Sequence, residues 1–197
     1  EDQDAFMHSS DKHNTKMAFI KAGFGVIECL ASGNNWGNQT SLTDYQTLIT
    51  WAKSIIPFTD LNIYAQSMGG LTGMHLFMTD TSINKFVGIY PALSLANMFT
   101  TSYKAAIKTA YGFSNDADYA TATAGYDPML LSGSNLNHRK IELVASPSDV
   151  TVTKTDNTDA FNTAFGSLAD ITVVVASGVH GDPSHFDGTR DVDFFNS

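Results

Sequence analysis

The chain has 197 residues, of which 43% are hydrophobic and only 16% charged, and its formal net charge is −9. This length suits one domain with a buried core, and no apolar run reaches the roughly 20 residues that a membrane helix needs. The excess of acidic residues argues against nucleic acid and anionic membrane surfaces as partners, since phosphate groups attract clustered Lys and Arg.

Strand-like and helix-like segments alternate along the chain, which predicts an α/β fold with a mainly parallel sheet flanked by helices. Thr40 or Ser41 is the expected N-cap of the second helix. Helices are predicted over residues 11–22, 42–54, 68–78, 95–111, 116–124 and 158–165, and a short one beyond Pro183. Strands are predicted over residues 25–30, 61–65, 86–90, 141–145 and 171–176. Residues 92–134 hold helical stretches and no strand, which interrupts the alternation within a single domain spanning residues 1–197.

One serine stands at a junction between a predicted strand and a predicted helix. Ser67 has small residues two positions before and after it, Ala65 and Gly69. In a nucleophile elbow the serine occupies a sharp turn that exposes its hydroxyl, and small neighbours let strand and helix approach. The helix N-terminus then faces the oxyanion, so the N–H of Met68 is an expected donor. An N-cap serine would produce a similar pentapeptide, but the flanking strand and helix favour the elbow.

Polar side chains follow the last two predicted strands, at the edge where α/β sheets build their sites. Asp149 is the candidate acid, although a turn aspartate would suit the same position. His180 is the candidate base, because it is nearest to the strand and flanked by glycines. His185 is the runner-up base and Asp182 the second-choice acid. His180, Asp182 and His185 are close in sequence and could also hold a metal ion, but no metal and no cofactor is predicted.

The order Ser67, Asp149, His180 resembles the α/β-hydrolase superfamily of serine esterases and lipases, from about residue 11 to the end of the chain. The resemblance rests on residues 65–69, on Asp149 and on His180. The family inserts a lid where residues 92–134 lie, so the resemblance implies a lid insertion over this stretch. It implies hydrolysis of an ester or amide through an acyl-enzyme. Ser67 would attack, His180 would act as general base and Asp149 would orient the imidazole.

One feature departs from the family. Family members have a strand between those that correspond here to residues 25–30 and 61–65, and the loop after that strand gives a second oxyanion N–H. No apolar run precedes the first predicted helix to supply it. An empty position would leave rows of backbone groups unpaired, each costing about 1 kcal/mol or more when buried. We therefore hypothesise that the chain is the C-terminal part of a longer domain and that an upstream segment completes the sheet.

Substrate-binding residues are harder to assign. Trp36 lies in a Gly- and Asn-rich loop, where an exposed indole could stack on a sugar ring or an acyl group, or could anchor the loop. Tyr103 is a candidate for lining a pocket beneath the lid, with packing inside the lid as the alternative. Low charge with abundant Thr, Asn and Gly favours an extracellular or phage-particle protein and an esterified glycan as substrate. Two alternatives to an esterase are a non-catalytic binding module on this fold and a peptidase with the same triad.

Overall fold

The computed structural model describes residues 10–197. Its sheet has four parallel strands that follow one another in chain order. They are β1 (Asn62–Gln66), β2 (Lys85–Ile89), β3 (Lys140–Ala145) and β4 (Asp170–Val175). The predicted α/β class with a mainly parallel sheet is confirmed, and each of these strands lies within one residue of its predicted bounds.

Helices connect the strands, as parallel pairing requires. They are α1 (Ser10–Lys21), α2 (Gln39–Ile55), α3 (Gly69–Thr79), α4 (Leu95–Phe99), α5 (Lys104–Tyr111), α6 (Tyr119–Ala122), α7 (Ala160–Phe165) and α8 (Gly188–Asn196). Helix α2 begins after Asn38, whose side chain accepts the N–H of Ser41 at 3.1 Å, so the predicted caps Thr40 and Ser41 are wrong. Within residues 10–197, no helix has both the length and the apolar character needed to cross a bilayer.

The region between β2 and β3 is helical, as predicted, and hydrogen bonds connect it to segments outside this region. The side chain of Asn157 accepts the backbone N–H groups of Leu93 at 2.9 Å and Ser94 at 3.1 Å. The hydroxyl of Tyr111 donates to the carbonyl of Trp36 at 3.0 Å. Whether this region works as a lid stays a prediction.

The two faces of the sheet are covered by different helices. On one face Leu42 of α2 packs in the same cluster as Ala65 of β1 and Phe161 of α7. On the opposite face the ring of Phe19 in α1 lies 5.4 Å from the ring of Tyr64 in β1 and 5.5 Å from that of Phe195 in α8. Helices α1 and α2, which are consecutive in the chain, therefore lie on opposite faces.

The prediction of a strand over residues 25–30 is wrong. The segment has no regular secondary structure, although it forms one wall of a groove whose other wall is β1. A strand is defined by its pairing, and the groove separates this segment from the nearest strand. Among residues 10–197, β1 is consequently an edge strand that pairs only with β2.

Helix α8, on the same face of the sheet as α1, carries a buried carboxylate. Asp191 is fully buried and accepts hydrogen bonds from Arg190, from Nε at 2.9 Å and from Nη2 at 2.5 Å. Burial raises the pKa of Asp191 to about 7, although the Arg190 guanidinium opposes the shift. Since the ordinary pKa is 3.8, the folded state binds more protons than the unfolded state between these values. The contribution to stability is full below pH 4 and is lost as the pH rises to about 7.

We therefore expect the urea midpoint of unfolding to fall as the pH rises from about 4 to about 7, and to fall less in Asp191→Asn. Denaturation followed by circular dichroism at several pH values measures this. Asp193→Asn is the matched control, because Asp193 is exposed on the same helix. An identical pH dependence in Asp191→Asn and the unmodified protein would contradict the assignment.

Candidate active site

Ser67 occupies a strained turn between β1 and α3. Its φ of +49° lies in the left-handed region, which costs a non-glycine residue about 1–3 kcal/mol. Three backbone hydrogen bonds hold the turn: Ser67 N–H donates to Ile89 at 3.1 Å, and its carbonyl accepts from Gly70 and Ala92 at 2.9 Å each. This conformation is the one expected of a nucleophile elbow at the carboxyl edge of the sheet.

Close packing around the turn depends on Gly70, as predicted, and on Gly73, but not on Gly69. A Cβ at Gly69 would meet no atom within 4 Å, so the expectation that Gly69 must be small is wrong. A Cβ at Gly70 would lie 2.6 Å from the carbonyl oxygen of Ala92. At Gly73 it would lie 3.1 Å from the Cβ of Ala65. The second and fifth residues of α3 therefore let the helix approach its neighbours, and the space above Gly69 is open.

The structure brings Ser67, His180 and Asp149 together in one hydrogen-bonded chain. Ser67 Oγ lies 2.8 Å from His180 Nε2, and His180 Nδ1 lies 2.7 Å from Asp149 Oδ2. The Asp149 side chain is 1% exposed and that of His180 is 22% exposed. An ionised carboxylate only accepts hydrogen bonds, so Nδ1 carries the proton and Nε2 is left to accept from the serine hydroxyl.

Backbone groups hold the carboxylate of Asp149. Its other oxygen, Oδ1, accepts the N–H groups of Thr151 at 2.8 Å and Val152 at 3.0 Å. These bonds direct Oδ2 toward His180 and satisfy a carboxylate that is otherwise removed from water. The turn after β3 thus positions the acid through backbone N–H groups, and apart from His180 no charged or titratable side chain among residues 10–197 bonds to it.

Glycines shape the loop that carries His180. Gly178 has a φ of +83°, and a Cβ there would lie 2.3 Å from Cγ of Asp182. Gly181 has a φ of +81°. Left-handed residues on both sides of the histidine turn the loop back sharply, which glycine permits without strain. The sequence argument that flanking glycines bring this ring over the serine agrees with the geometry.

The runner-up residues do not reach Ser67. His185 is fully buried, with Nδ1 2.9 Å from the carbonyl oxygen of Asp182 and its ring 5.0 Å from that of Tyr90. Asp182 caps the short turn Pro183–His185 by accepting the N–H of Ser184 at 2.9 Å, and this bond lowers its pKa. In the described part of the chain no cluster of His, Cys, Asp and Glu could hold a metal ion.

The N–H of Met68 is a free donor beside the serine. Met68 is the N-cap of α3, and its N–H donates to no acceptor within residues 10–197. The positive end of the eleven-residue helix lies at the same place. A negative charge that develops next to Ser67 would therefore meet one backbone donor and a favourable helix dipole.

Sequence reasoning missed Tyr90. Its ring lies 4.5 Å from the His180 ring, and its hydroxyl donates to Gln66 Oε1 at 3.1 Å. Tyr90 also has a positive φ, +38°, directly after β2. The sequence feature that could have identified Tyr90 as a site residue is its position directly after a predicted strand, since the carboxyl ends of parallel strands meet at one edge.

The proposed substrate-binding residues pack against each other, Trp36 from its loop before α2 and Tyr103 from the helical region between β2 and β3. Trp36 is 4% exposed, so the expectation of an exposed indole is wrong. Its ring lies 4.8 Å from that of Tyr103, and both belong to a cluster that includes Met68 and Phe99. The arrangement has the form of a loop anchor, and it leaves no open face of Trp36 for stacking on a sugar.

No protein-family model and no curated protein matches this sequence. Solved structures do match in fold. An esterase from Pyrococcus furiosus superposes with a TM-score of 0.62 at 12% identity, over 94% of this chain and 75% of that one. A puromycin hydrolase gives a TM-score of 0.63 at 14% identity. An acetyl ester-xyloside bifunctional hydrolase from Caldicellulosiruptor lactoaceticus gives 0.55 at 16%, over 73% of this chain and 58% of that one.

These likenesses establish that the chain has the α/β-hydrolase fold. The match to the puromycin hydrolase covers 82% of this chain but only 25% of that protein. The chain therefore spans about a quarter of the length of that relative.

Proposed function

We propose that the protein is a serine hydrolase that cleaves carboxylic esters through an acyl-enzyme. One observation carries the proposal, the unbroken chain of hydrogen bonds from Ser67 through His180 to Asp149 on a strained turn. A serine hydroxyl is a weak nucleophile without a base, and this arrangement supplies both the base and the group that orients it. The hydrolases that share the fold lend further support.

In the first step Ser67 Oγ attacks the ester carbonyl while its proton passes to His180 Nε2. Asp149 stabilises the imidazolium that forms and keeps the proton on Nδ1. The carbonyl oxygen becomes an oxyanion and accepts the N–H of Met68. Collapse of the tetrahedral intermediate breaks the bond to the alcohol, which leaves with the proton from Nε2.

The second step returns the enzyme to its first state. His180 takes a proton from water as the water attacks the acyl carbon, and the second tetrahedral intermediate again places its charge at Met68. The acid is released when Ser67 Oγ regains the proton from Nε2. No cofactor is needed, because every proton passes between the substrate, water and these side chains.

An esterified glycan is the proposed substrate class. The low charge and the abundance of Thr, Asn and Gly fit a protein that works outside the cell or on a phage particle. One fold neighbour is by its name a hydrolase of acetyl esters and xylosides.

A peptidase is the second candidate, because a puromycin hydrolase and prolyl endopeptidases share the fold. Comparing p-nitrophenyl acetate and butyrate with a peptide p-nitroanilide separates the two, and we expect only the esters to turn over rapidly.

A fluorophosphonate probe tests whether the site is catalytic or only binds. We expect one covalent adduct per chain, located on Ser67 by peptide mass spectrometry, because only an activated serine reacts rapidly with this probe. Ser134→Ala, which removes an exposed serine distant in sequence from the site, should label like the unmodified protein. Absence of an adduct would favour the non-catalytic binding module.

Tyr90 is expected to act as a positioning residue for His180. Removing its ring in Tyr90→Leu should lower kcat for p-nitrophenyl acetate on the order of 10-fold with little change in KM, since small displacements of a base are costly. Tyr90→Phe keeps the ring and should stay within about 2-fold of the unmodified enzyme. Equal losses in Tyr90→Phe and Tyr90→Leu would show that the hydroxyl, rather than the ring, is what matters.

A further inference from the structure

A group of buried charged side chains contacts the loop that carries His180. Glu142 in β3 is 4% exposed, and Asp191 in α8 is fully buried. Arg190 joins the two carboxylates: its Nε lies 3.1 Å from Glu142 Oε1, and both Nε and Nη2 donate to Asp191 Oδ1. We call these three residues the charged cluster. None of them takes part in the proton transfers of the proposed reaction.

Stability alone does not explain two buried carboxylates on one guanidinium. Removing charges from water costs free energy that the attraction within a buried ion pair often only offsets. Burial raises the pKa of Glu142 and of Asp191, although Arg190 opposes both shifts. What a guanidinium adds is direction, because its N–H donors form a rigid planar fork. The two carboxylates therefore orient the remaining donors of Arg190.

One of those donors holds the end of the loop at residues 177–185, which we call the histidine loop. Nη2 of Arg190 carries two hydrogens, and besides Asp191 it donates to the backbone carbonyl of His185 at 3.2 Å. The histidine loop begins directly after the N–H of Ala176 donates to Ala145 at 3.0 Å. The sheet thus holds one end of the histidine loop and the charged cluster holds the other.

His185 also supports the base through an aromatic contact. Its side chain is fully buried, and its ring meets the ring of Tyr90 edge to face with the centroids 5.0 Å apart. The ring of Tyr90 lies 4.5 Å from that of His180. A shift of His185 would therefore displace the ring against which the imidazole of His180 rests.

We propose that Arg190, oriented by the charged cluster, is a positioning residue for His180. It fixes the carbonyl and the ring of His185, and these keep the His180 imidazole 2.8 Å from Ser67 Oγ. Among residues 10–197 Arg190 forms no hydrogen bond with the triad itself, so it acts through the histidine loop. The inference rests on the proposed function, because it concerns the residue proposed as the base.

Replacing Arg190 should lower kcat and leave KM nearly unchanged. Arg190→Met removes the fork and should lower kcat for p-nitrophenyl acetate at least about 10-fold, since small displacements of a base are costly. Arg190→Lys keeps the charge but has a single nitrogen in place of the fork, so kcat should fall by a similar factor. A kcat within about 2-fold of that of the unmodified enzyme in either variant would overturn the proposal.

Lys85→Met is the matched control, because Lys85 also holds α8 to the sheet. Its Nζ donates to the carbonyls of Phe194 at 3.2 Å and Phe195 at 2.9 Å, at the other end of the helix. Lys85→Met should lower the urea midpoint of unfolding and keep kcat within about 2-fold. A loss of kcat equal to that in Arg190→Met would assign the effect to the stability of α8 and overturn the proposal.

A second variant keeps the test independent of folding. Arg190→Met leaves two buried carboxylates without their partner, which is strongly destabilising. The triple variant Glu142→Gln/Arg190→Met/Asp191→Asn removes all three charges together, so it should fold, as judged by circular dichroism. It should show the same loss of kcat as Arg190→Met, and an unchanged kcat in the folded triple variant would overturn the proposal.

A proton resonance reports the position of His180 without any hydrolysis. His180 Nδ1 and Asp149 Oδ2 lie 2.7 Å apart, so the proton between them is in a short charge-assisted hydrogen bond. Its signal should lie far downfield of the amide protons and disappear in Asp149→Asn. We expect it to shift or broaden in Arg190→Met and in the triple variant, and to stay in place in Lys85→Met.

The resonance and the kinetics separate this inference from the proposed function. An unmoved resonance in both Arg190→Met and the triple variant would overturn the positioning role, whether or not the protein hydrolyses esters. An unmodified protein that hydrolyses no ester, but whose resonance moves in these variants, would refute the proposed function and support the positioning role.

Discussion

Ser67→Ala is expected to lower kcat/KM for p-nitrophenyl acetate on the order of 10⁴-fold or more, because it removes the hydroxyl that would form the proposed acyl-enzyme. The substitution removes one oxygen from a residue held by backbone hydrogen bonds to Ile89, Gly70 and Ala92, so the turn should persist. Alanine also tolerates the positive φ about as well as serine does. Steady-state hydrolysis with p-nitrophenyl acetate and butyrate measures the effect.

Controls for this prediction address folding and background reactivity. Ser134→Ala should keep full activity, since Ser134 is exposed and lies in a separate short turn. The circular dichroism spectrum and urea midpoint of Ser67→Ala should match those of the unmodified protein. Hydrolysis that persists undiminished in Ser67→Ala would assign the activity to another group and refute the proposed nucleophile.

Asp149→Asn is expected to lower kcat on the order of 10⁴-fold while leaving the fold intact. The asparagine can keep its oxygen on the N–H groups of Thr151 and Val152, so its amide would face His180. That amide is a donor, which places the imidazole proton on Nε2 and leaves no acceptor for the serine hydroxyl. The prediction is checked by kcat measurement across the pH range.

Asp182→Asn provides the matched control for the acid. Asp182 was the second-choice acid from sequence, but its side chain caps a turn by bonding the N–H of Ser184. Asparagine caps turns equally well, so activity should stay within about 2-fold. A loss in Asp182→Asn comparable to that in Asp149→Asn would show that the two carboxylates share the role.

The regular elements were predictable from sequence because each depends on local patterns. Apolar runs bounded by polar turns gave the four strands of the sheet, and the small residues around Ser67 marked the junction of β1 and α3. The strand predicted over residues 25–30 was wrong because a local pattern carries no information about pairing. Its run Val26-Ile27 and its neighbours satisfy the local pattern, but a strand also needs a partner beside it.

The sequence predicted which residues belong to the candidate site, but it did not predict how they contact one another. Chain order placed Asp149 and His180 after parallel strands, and those strand ends converge whatever the rest of the sequence is. The sequence favoured His180 over His185 through its flanking glycines and its nearness to the strand, but both histidines follow the last strand within ten residues and both stayed candidates. Tyr90 was missed because an aromatic residue after a buried strand is usually core.

The sequence by itself determined the fold class, the elbow at Ser67 and the two strand ends that carry the acid and the base, because short-range periodicity and chain order encode them. Only the tertiary structure decided that His180 meets Ser67, that Trp36 is buried and that a groove lies open beside β1. These features depend on loop conformations and on packing between segments distant in the chain. The left-handed conformations of Gly178 and Gly181, for example, shape the loop that brings His180 to Ser67.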